Sequence, residues 1–324
     1  MTASRATIVV CTLDRAPYLR RLLERLRTLD HPAFEVVVVA GPSHDATPEV
    51  LREVAGRVKV VVCAVANLGR SRNLGIAAAA GDVVAFIDDD ALPAASDWLR
   101  ALVGVLDEDR RLGGVGGPVL IGDGDDWEFE GRLVSAYAEM RTPFEAAAEH
   151  GNGTTWFPAV QGNNCAFRRD ALFAIGGFDE AFTYHFDETD VCVRLARLGR
   201  PIAYAPTGVV RHARAPSHSR RSPYDLDWES MARADVYFAL KTAVDDAPHR
   251  LLEVLRIVRT KYPFRLMSQY YWEGHFGTAR RALYLARWGR GVVAGAWTGL
   301  VRARQTPLSL DTAPPLPFLP FRRS

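Results

Sequence analysis

The chain opens on a repeated alternation of apolar and polar stretches. Four short, almost uninterrupted apolar runs, TIVVCTL (7–13), FEVVVVA (34–40), VKVVVCA (58–64) and DVVAFI (82–87), are each followed by a stretch with helical spacing. Runs of this length, rich in β-branched residues, predict strands buried on both faces. Residues 17–29 carry Leu19, Leu22, Leu23 and Leu26 on one stripe, which predicts a helix. ATPEVLREVA (46–55) predicts a short helix with Pro48 in its first turn. SRNLGIAAAA (71–80) predicts a helix stopped by Gly81, and Asp97 to Leu106 a fourth helix. A β-α unit repeated four times predicts a parallel, three-layer α/β sheet. In such sheets ligands bind beyond the carboxyl ends of the strands.

After Gly113 the period changes. GGVGGPVLIG is glycine-rich and strand-like, and the polar residues 127–150 predict a helix followed by a mobile loop. TWFPAVQGNNCAFRRDAL (155–172) predicts strand, turn, strand and helix start, and ETDVCVRLARLG (188–199) a helix closed by Gly199. PIAYAP and GVVRHA predict short strands. Residues 225–303 predict mostly helix with Arg and aromatics interleaved, and the proline-rich 306–324 an extended or disordered tail. No internal repeat is present.

Composition adds a charge asymmetry. The 324 residues, 48% of them hydrophobic, carry a formal charge of only +2. From Pro248 onward, however, 13 Lys and Arg face three acids, which suggests an anionic partner for that part. Cys11, Cys63, Cys165 and Cys192 form no CxxC pair and sit in apolar contexts, as buried reduced thiols of a cytoplasmic protein do. MTASRATIVV has no long apolar region of a signal peptide, and no run of 18 apolar residues predicts a membrane span.

The chemistry starts at VAFIDDDALP (84–93), where Asp88, Asp89 and Asp90 follow an apolar run directly. At ~4 Å each pair of carboxylates costs about 1 kcal/mol in water and about 4 at an effective dielectric of 20. A solvated turn is the ordinary explanation, but this cluster ends a strand expected to be buried, at the ligand end of the sheet. Mg²⁺ takes one or two carboxylates together with substrate phosphates, so an Asp-x-Asp here suits a cation carrying a diphosphate. A phosphatase-type nucleophile fits less well, because it belongs on a first strand and with Thr or Val where Leu92 stands.

TIVVCTLDRAPYLRRLL, FEVVVVAGPSHDATPEV, NLGRSRNLGIAAAAGDVVAFIDDDA and GGFDEAFTYHFDETDVCVRLARLG, in this order over residues 6–212, resemble the successive motifs of the family 2 glycosyltransferases. The resemblance implies a GT-A fold: a three-layer, nucleotide-binding, Rossmann-like mixed sheet, here with a helical C-terminal extension. It implies a catalytic domain over 1–215, with a nucleotide-sugar half (1–112) and an acceptor half (113–215). A basic aromatic extension (216–305) and the tail (306–324) follow.

The implied activity is inverting transfer of a sugar from a nucleotide-diphosphate sugar to an acceptor hydroxyl, with Mg²⁺ or Mn²⁺. Thr12, Asp14 and Arg15 match nucleotide contacts, and Ser43 and Asp45 the end of an Asp-Asn-Gly-Ser-Thr-Asp loop. That loop departs from the pattern at Ala40 and Gly41-Pro42, which weakens a specific case for uridine. Arg72 and Asn73 match donors to ribose or phosphate, Asp88 a ribose or metal contact, Asp89 a substrate contact and Asp90 a metal ligand. Gly162 and Asn163 match an acceptor-side segment, and His212 a histidine near the metal or diphosphate.

Inversion also needs a carboxylate to take the acceptor proton. The resemblance implies it in the second cluster: Glu188 first, Asp187 second, with Asp190 aligning the pattern. Helix-dipole and capping effects alone would explain one or two of these acids. Arg214, His218, Arg220 and Arg221 suit a loop closing on diphosphate or a solvated loop. Residues 256–304 suit a peripheral contact with the inner face of a membrane, and so a lipid-linked acceptor. They equally suit packing on the catalytic domain or on a second subunit, and so a sugar or small-molecule acceptor. Nucleic acid is not expected as a partner. A nucleotidyltransferase on the same core would need a glycine-rich loop after the first strand, and TLDRAPYL is not one. A non-catalytic relative binding a nucleotide-sugar or a protein would not need both acidic clusters.

Overall fold

A computed structural model of the chain describes residues 3–142, 156–183, 185–216, 220–222, 224–243, 266–302, 310 and 315–321. The strands are β1 (Ala6–Thr12), β2 (Phe34–Ala40), β3 (Lys59–Val62), β4 (Val83–Phe86), β5 (Ala91–Pro93), β6 (Gly114–Gly116), β7 (Val119–Ile121) and β8 (Trp127–Phe129). They continue with β9 (Arg132–Ser135), β10 (Met140–Arg141), β11 (Trp156–Ala159), β12 (Cys165–Arg168), β13 (Ile202–Tyr204), β14 (Val210–His212), β15 (Arg220–Ser222) and β16 (Asp225–Leu226). The helices are α1 (Ala16–Leu26), α2 (Thr47–Glu53), α3 (Leu68–Ala78), α4 (Trp98–Glu108), α5 (Arg169–Ala174), α6 (Asp187–Arg197), α7 (Trp228–Thr242), α8 (Met267–Trp272) and α9 (Thr278–Arg302).

The β-branched runs form the middle of a seven-stranded sheet in the order β13-β6-β12-β4-β1-β2-β3. β4, β1, β2 and β3 are parallel, and β12 runs antiparallel to both β4 and β6, so the sheet is mixed. Because side chains alternate across a strand, each strand feeds two cores. Ile8, Val10, Val36 and Val38 pack under Leu19, Leu22 and Leu26 of α1 and Leu102 of α4. Val9, Val37, Val39 and Phe86 pack under Ile76 of α3 and Val191 of α6. Burying each such leucine stabilises the fold by about 1.5–3 kcal/mol.

Residues 127–141, expected as a helix, form β8, β9 and β10 instead. Gly131 sits at φ +104°, outside helical space, and Phe129 and Val134 are buried from separate strands. The loop expected after them falls mostly on 143–155, outside the described residues. In the tail, residues 315–321, expected as extended or disordered, lie extended and are bonded to the sheet. The Phe321 amide donates to the Phe34 carbonyl at 2.8 Å, and the Leu319 amide to Glu35 Oε2 at 2.8 Å. Lys59 Nζ donates to the Leu316 carbonyl at 2.9 Å and pairs with Glu35 at 2.9 Å. A buried Lys–Glu pair needs such partners for its remaining donors and lone pairs.

The described part of the basic extension opens on the paired strands β15 and β16, which the helical expectation did not include, and is otherwise helical in α7, α8 and α9, while 244–265 lies outside the described residues. α9 packs on α7 through Gly291, Gly295 and Gly299. A Cβ on these would fall 2.2 Å from the Glu229 carbonyl oxygen, 2.6 Å from that of Arg233 and 2.8 Å from the Leu240 side chain. Gly295→Val is therefore expected to lower stability by about 1–3 kcal/mol through overpacking. An unchanged urea midpoint would show that the two helices can separate freely. No helix among the described residues is long and apolar enough to cross a membrane.

Candidate active site

The three aspartates are the hinge between two sheets. β4 ends at Phe86, the Ala91 amide donates to the Asp88 carbonyl at 3.0 Å, and the chain turns into β5. β5 belongs to a second sheet, β5-β14-β7-β8, which brings His212 at the end of β14 beside the turn. The sequence reading had no β5 and left this placement unexplained.

Each carboxylate has its own surroundings. Asp89 is buried and spent on the first β-α turn: it accepts from the Thr12 hydroxyl at 2.7 Å and from Arg15 at 2.9 Å. Burial pushes it up to about 7 despite Arg15 and Thr12. Arg15 also donates to the carbonyls of Ala215 and Pro216. Asp90 is buried too. Its Oδ2 accepts from the Ala215 amide at 2.8 Å. Its Oδ1 lies 3.1 Å from Arg15 and 3.4 Å from His212 Nε2 but accepts no well-formed hydrogen bond among the described residues. Burial pushes the Asp90 carboxyl up, but His212, Arg15 and the Ala215 amide outweigh it and hold it at about 2.

His212 is fixed from its other side by Glu128 on β8, whose carboxylate lies 2.8 Å from Nδ1. Burial lowers the imidazole, but the neighbouring Asp90 and Glu128 carboxylates outweigh that and raise it to about 9. With Nδ1 held, Nε2 faces the aspartates, the arrangement by which a carboxylate orients a metal-binding histidine. One ligand atom each from Asp88, Asp90 and His212 lies within 4.8 Å of the others. Two carboxylates and an imidazole, with a buried Asp90 oxygen lacking a hydrogen bond, fit a divalent cation.

The second cluster is built by a strained turn. His185 and Phe186 both have left-handed backbones, at φ +72° and +66°, and α6 begins at the next residue. Its first turn presents Asp187 and Glu188. Buried Arg72 from α3 joins the two clusters: it pairs with Asp187, lies 3.7 Å from Glu188 and 3.8 Å from Asp88. Its guanidinium is sandwiched near the Phe86 and Phe178 rings, 5.9 and 5.2 Å from their centroids. Gly162 leaves it room, since a Cβ there would fall 2.2 Å from the guanidinium. Burial pushes Asp187 up, but Arg72 outweighs it and lowers it. Burial and the neighbouring Asp187 push Glu188 well above the usual carboxylate range.

Thr12, Arg15, Arg72, Asp88, Asp89, Asp90, Gly162, Asn163, Asp187, Glu188 and His212 line one open pocket of about 370 Å³. Five expected site residues do not line it. Asp190 is buried behind α6, paired with Arg194 and with Lys241 of α7, both at 2.7 Å. Asp45 accepts from the Ala16 amide and from Thr47, so it ties the starts of α1 and α2 together. Ser43 accepts from the Asp14 amide, and Asp14 accepts from the His44 amide. Asn73 exchanges hydrogen bonds with the Phe178 backbone. Arg214 is exposed, and His218 lies outside the described residues. Glu128, Gln161 and His185 line the pocket without having been expected, and Gln161 Oε1 and Asn163 Oδ1 are buried there without a hydrogen bond among the described residues.

The family model described as "Glycosyltransferase like family 2" matches residues 4–226, a span that includes every residue lining this pocket. The chain belongs to this family. The glycosyltransferase resembles a glucosyl-dolichyl phosphate glucuronosyltransferase of Haloferax volcanii, with 28% identity over 222 residues, covering 64% of this chain and 69% of the relative. Its fold is the GT-A fold of solved glycosyltransferases. The mannosyltransferase PcManGT of Pyrobaculum calidifontis, in complex with GDP-Man and Mn²⁺, superposes with a TM-score of 0.57 at 20% identity, covering 94% of this chain and 88% of that one. TarS of S. aureus, residues 1–349 in complex with UDP-GlcNAc, gives 0.58 at 17%, covering 90% and 81%. The glycosyltransferase thus carries both acidic clusters in one pocket at the carboxyl ends of its parallel strands.

Proposed function

We propose that this glycosyltransferase moves a sugar from a nucleoside-diphosphate sugar to an acceptor hydroxyl with inversion, using Glu188 as general base and Mg²⁺ or Mn²⁺ at Asp88, Asp90 and His212. The observation that carries this reading is the pairing of two separate acidic sites across Arg72. One has a buried carboxylate oxygen without a hydrogen bond beside an oriented histidine. The other has a carboxylate lifted above its usual range next to one already held by Arg72. A bound divalent cation would offset the negative charge of the departing diphosphate. Arg72 keeps Asp187 ionised and occupied, which leaves Glu188 to accept the hydroxyl proton as oxygen attacks C1 and the C1–phosphate oxygen bond breaks. The raised affinity of Glu188 for a proton makes it the stronger base of the pair. The donor is assigned to the half formed by residues 1–112 and the acceptor to 113–215. Asn163 and Gln161, with buried acceptor oxygens in the pocket, suit sugar hydroxyl donors. The likeness to PcManGT and TarS, which bind GDP-Man with Mn²⁺ and UDP-GlcNAc, supports a nucleotide-sugar donor.

The test is thermal unfolding against a panel of nucleotide-sugars with MnCl2, MgCl2 or EDTA, followed by NMR of the product. One donor is expected to raise Tm by roughly 5 °C at saturating concentration, only with a cation. The product is expected to carry the anomeric configuration opposite to the donor's. Equal stabilisation in EDTA would remove the cation from the reading, and a retained configuration would remove the single-base mechanism.

A further inference from the structure

α9 carries an apolar face that the protein leaves in water. Gly291, Gly295 and Gly299, spaced by four, set one side of the helix against α7. The opposite side presents Val293, Trp297 and Leu300, which are 70%, 70% and 66% exposed, with Val301 and Leu283 beside them. At these positions i, i+4 and i+7 the side chains form one stripe. The helix also holds five arginines (Arg280, Arg281, Arg287, Arg290 and Arg302) and no acid.

We propose that this face of α9 docks on an anionic lipid surface, with Val293, Trp297 and Leu300 entering the acyl boundary and arginines reaching the headgroups. An interfacial helix combines these features: an apolar face with Trp, and a basic flank whose long side chains extend to phosphate. Beside Trp297 an open pocket of about 630 Å³ contains Arg233, Arg287 and Arg290. Its acids are engaged within the protein: Glu229 pairs with Arg290 at 2.8 Å, Asp225 accepts from the Tyr284 hydroxyl and Asp227 caps α7 through Ser230. Arg233 and Arg287 make no ion pair or hydrogen bond among the described residues. A second copy is the poorer occupant. A two-fold contact of α9 with itself brings ten arginines and no acid of that helix together, and like charges repel. The inference does not depend on the catalytic assignment.

The experiment is flotation of the full chain with vesicles of phosphatidylcholine alone or with equal parts of phosphatidylglycerol. Binding is expected to the mixed vesicles only and to weaken with salt. The double variant Trp297→Ser, Leu300→Ser is expected to bind at least about tenfold more weakly, and Arg287→Gln about fivefold more weakly. Val293→Asp provides an independent exposed change, and each variant is checked for unchanged Tm and unchanged nucleotide-sugar binding. Equal binding to phosphatidylcholine alone, or binding indifferent to these substitutions, overturns the proposal. So does a dimer in sedimentation without lipid that the double variant converts to monomer, since that assigns the face to a second copy.

Discussion

Glu188→Gln is expected to lower sugar transfer by about a thousandfold while leaving donor affinity intact, the usual worth of a positioned general base. The amide keeps the shape of the side chain and removes its ability to take a proton. The pH profile gives a second readout. Burial and Asp187 raise Glu188 above the ordinary carboxylate range, and a base acts only when deprotonated. Transfer in the unaltered enzyme should therefore rise with pH through a limb lying above about 4.3, the ordinary glutamate value. That limb should vanish in the variant. Near-normal transfer with the limb retained would move the base to Asp187 or elsewhere. Single-turnover rates separate the proton step from product release.

Asp90→Asn is expected to remove the cation-dependent part of donor binding, a loss of at least about a hundredfold in Mn²⁺ affinity. Asp90 is held at about 2, so it is ionised at any working pH and offers a full negative charge. Its Oδ1, buried and without a hydrogen bond among the described residues, shares that charge with Oδ2, and the substitution removes it from the group. Titration calorimetry of Mn²⁺ with and without nucleotide-sugar reads the effect. Unaltered Mn²⁺ affinity would take Asp90 out of the cation site, and the assignment of His212 would fall with it.

In the parallel half of the sheet, β1, β2 and β4 are legible in the sequence because they are buried and so are written mostly in Val, Ile and Ala, whereas β3, expected to be buried on both faces, is an edge strand with Val60 and Val62 exposed. The helix expected over 127–150 shows the opposite case. Where apolar and polar residues mix without either period dominating, the positive φ of Gly131 and pairing with β7 and β11 decide the structure. At the site, the two acidic clusters are legible because unpaired charge after a buried strand or at a helix start demands a reason. Their division of labour is not. Asp45, Asn73 and Asp190 have the same chemistry as the pocket residues, yet each is consumed by a partner elsewhere in the fold. Glu128 escaped notice because its meaning lies in His212, 84 residues away. Arg72, expected to face ribose or phosphate, lines the pocket and also pairs with Asp187 at the start of α6, a contact that nothing in the sequence spacing shows.

The Glu35–Lys59 pair has a consequence for how the protein is made. Glu35 and Lys59 belong to the first sheet strands to leave the ribosome, yet a hydrogen bond to Glu35 comes from Leu319, 284 residues later. Leu316, which receives a proton donor from Lys59, follows it by 257 residues. During synthesis Lys59 sits on the edge strand β3, with Glu35 beside it on β2, and part of their bonding is supplied only by water. This end of the sheet is thus closed last, and until residues 315–321 emerge it keeps a polar seam where another chain's backbone can dock.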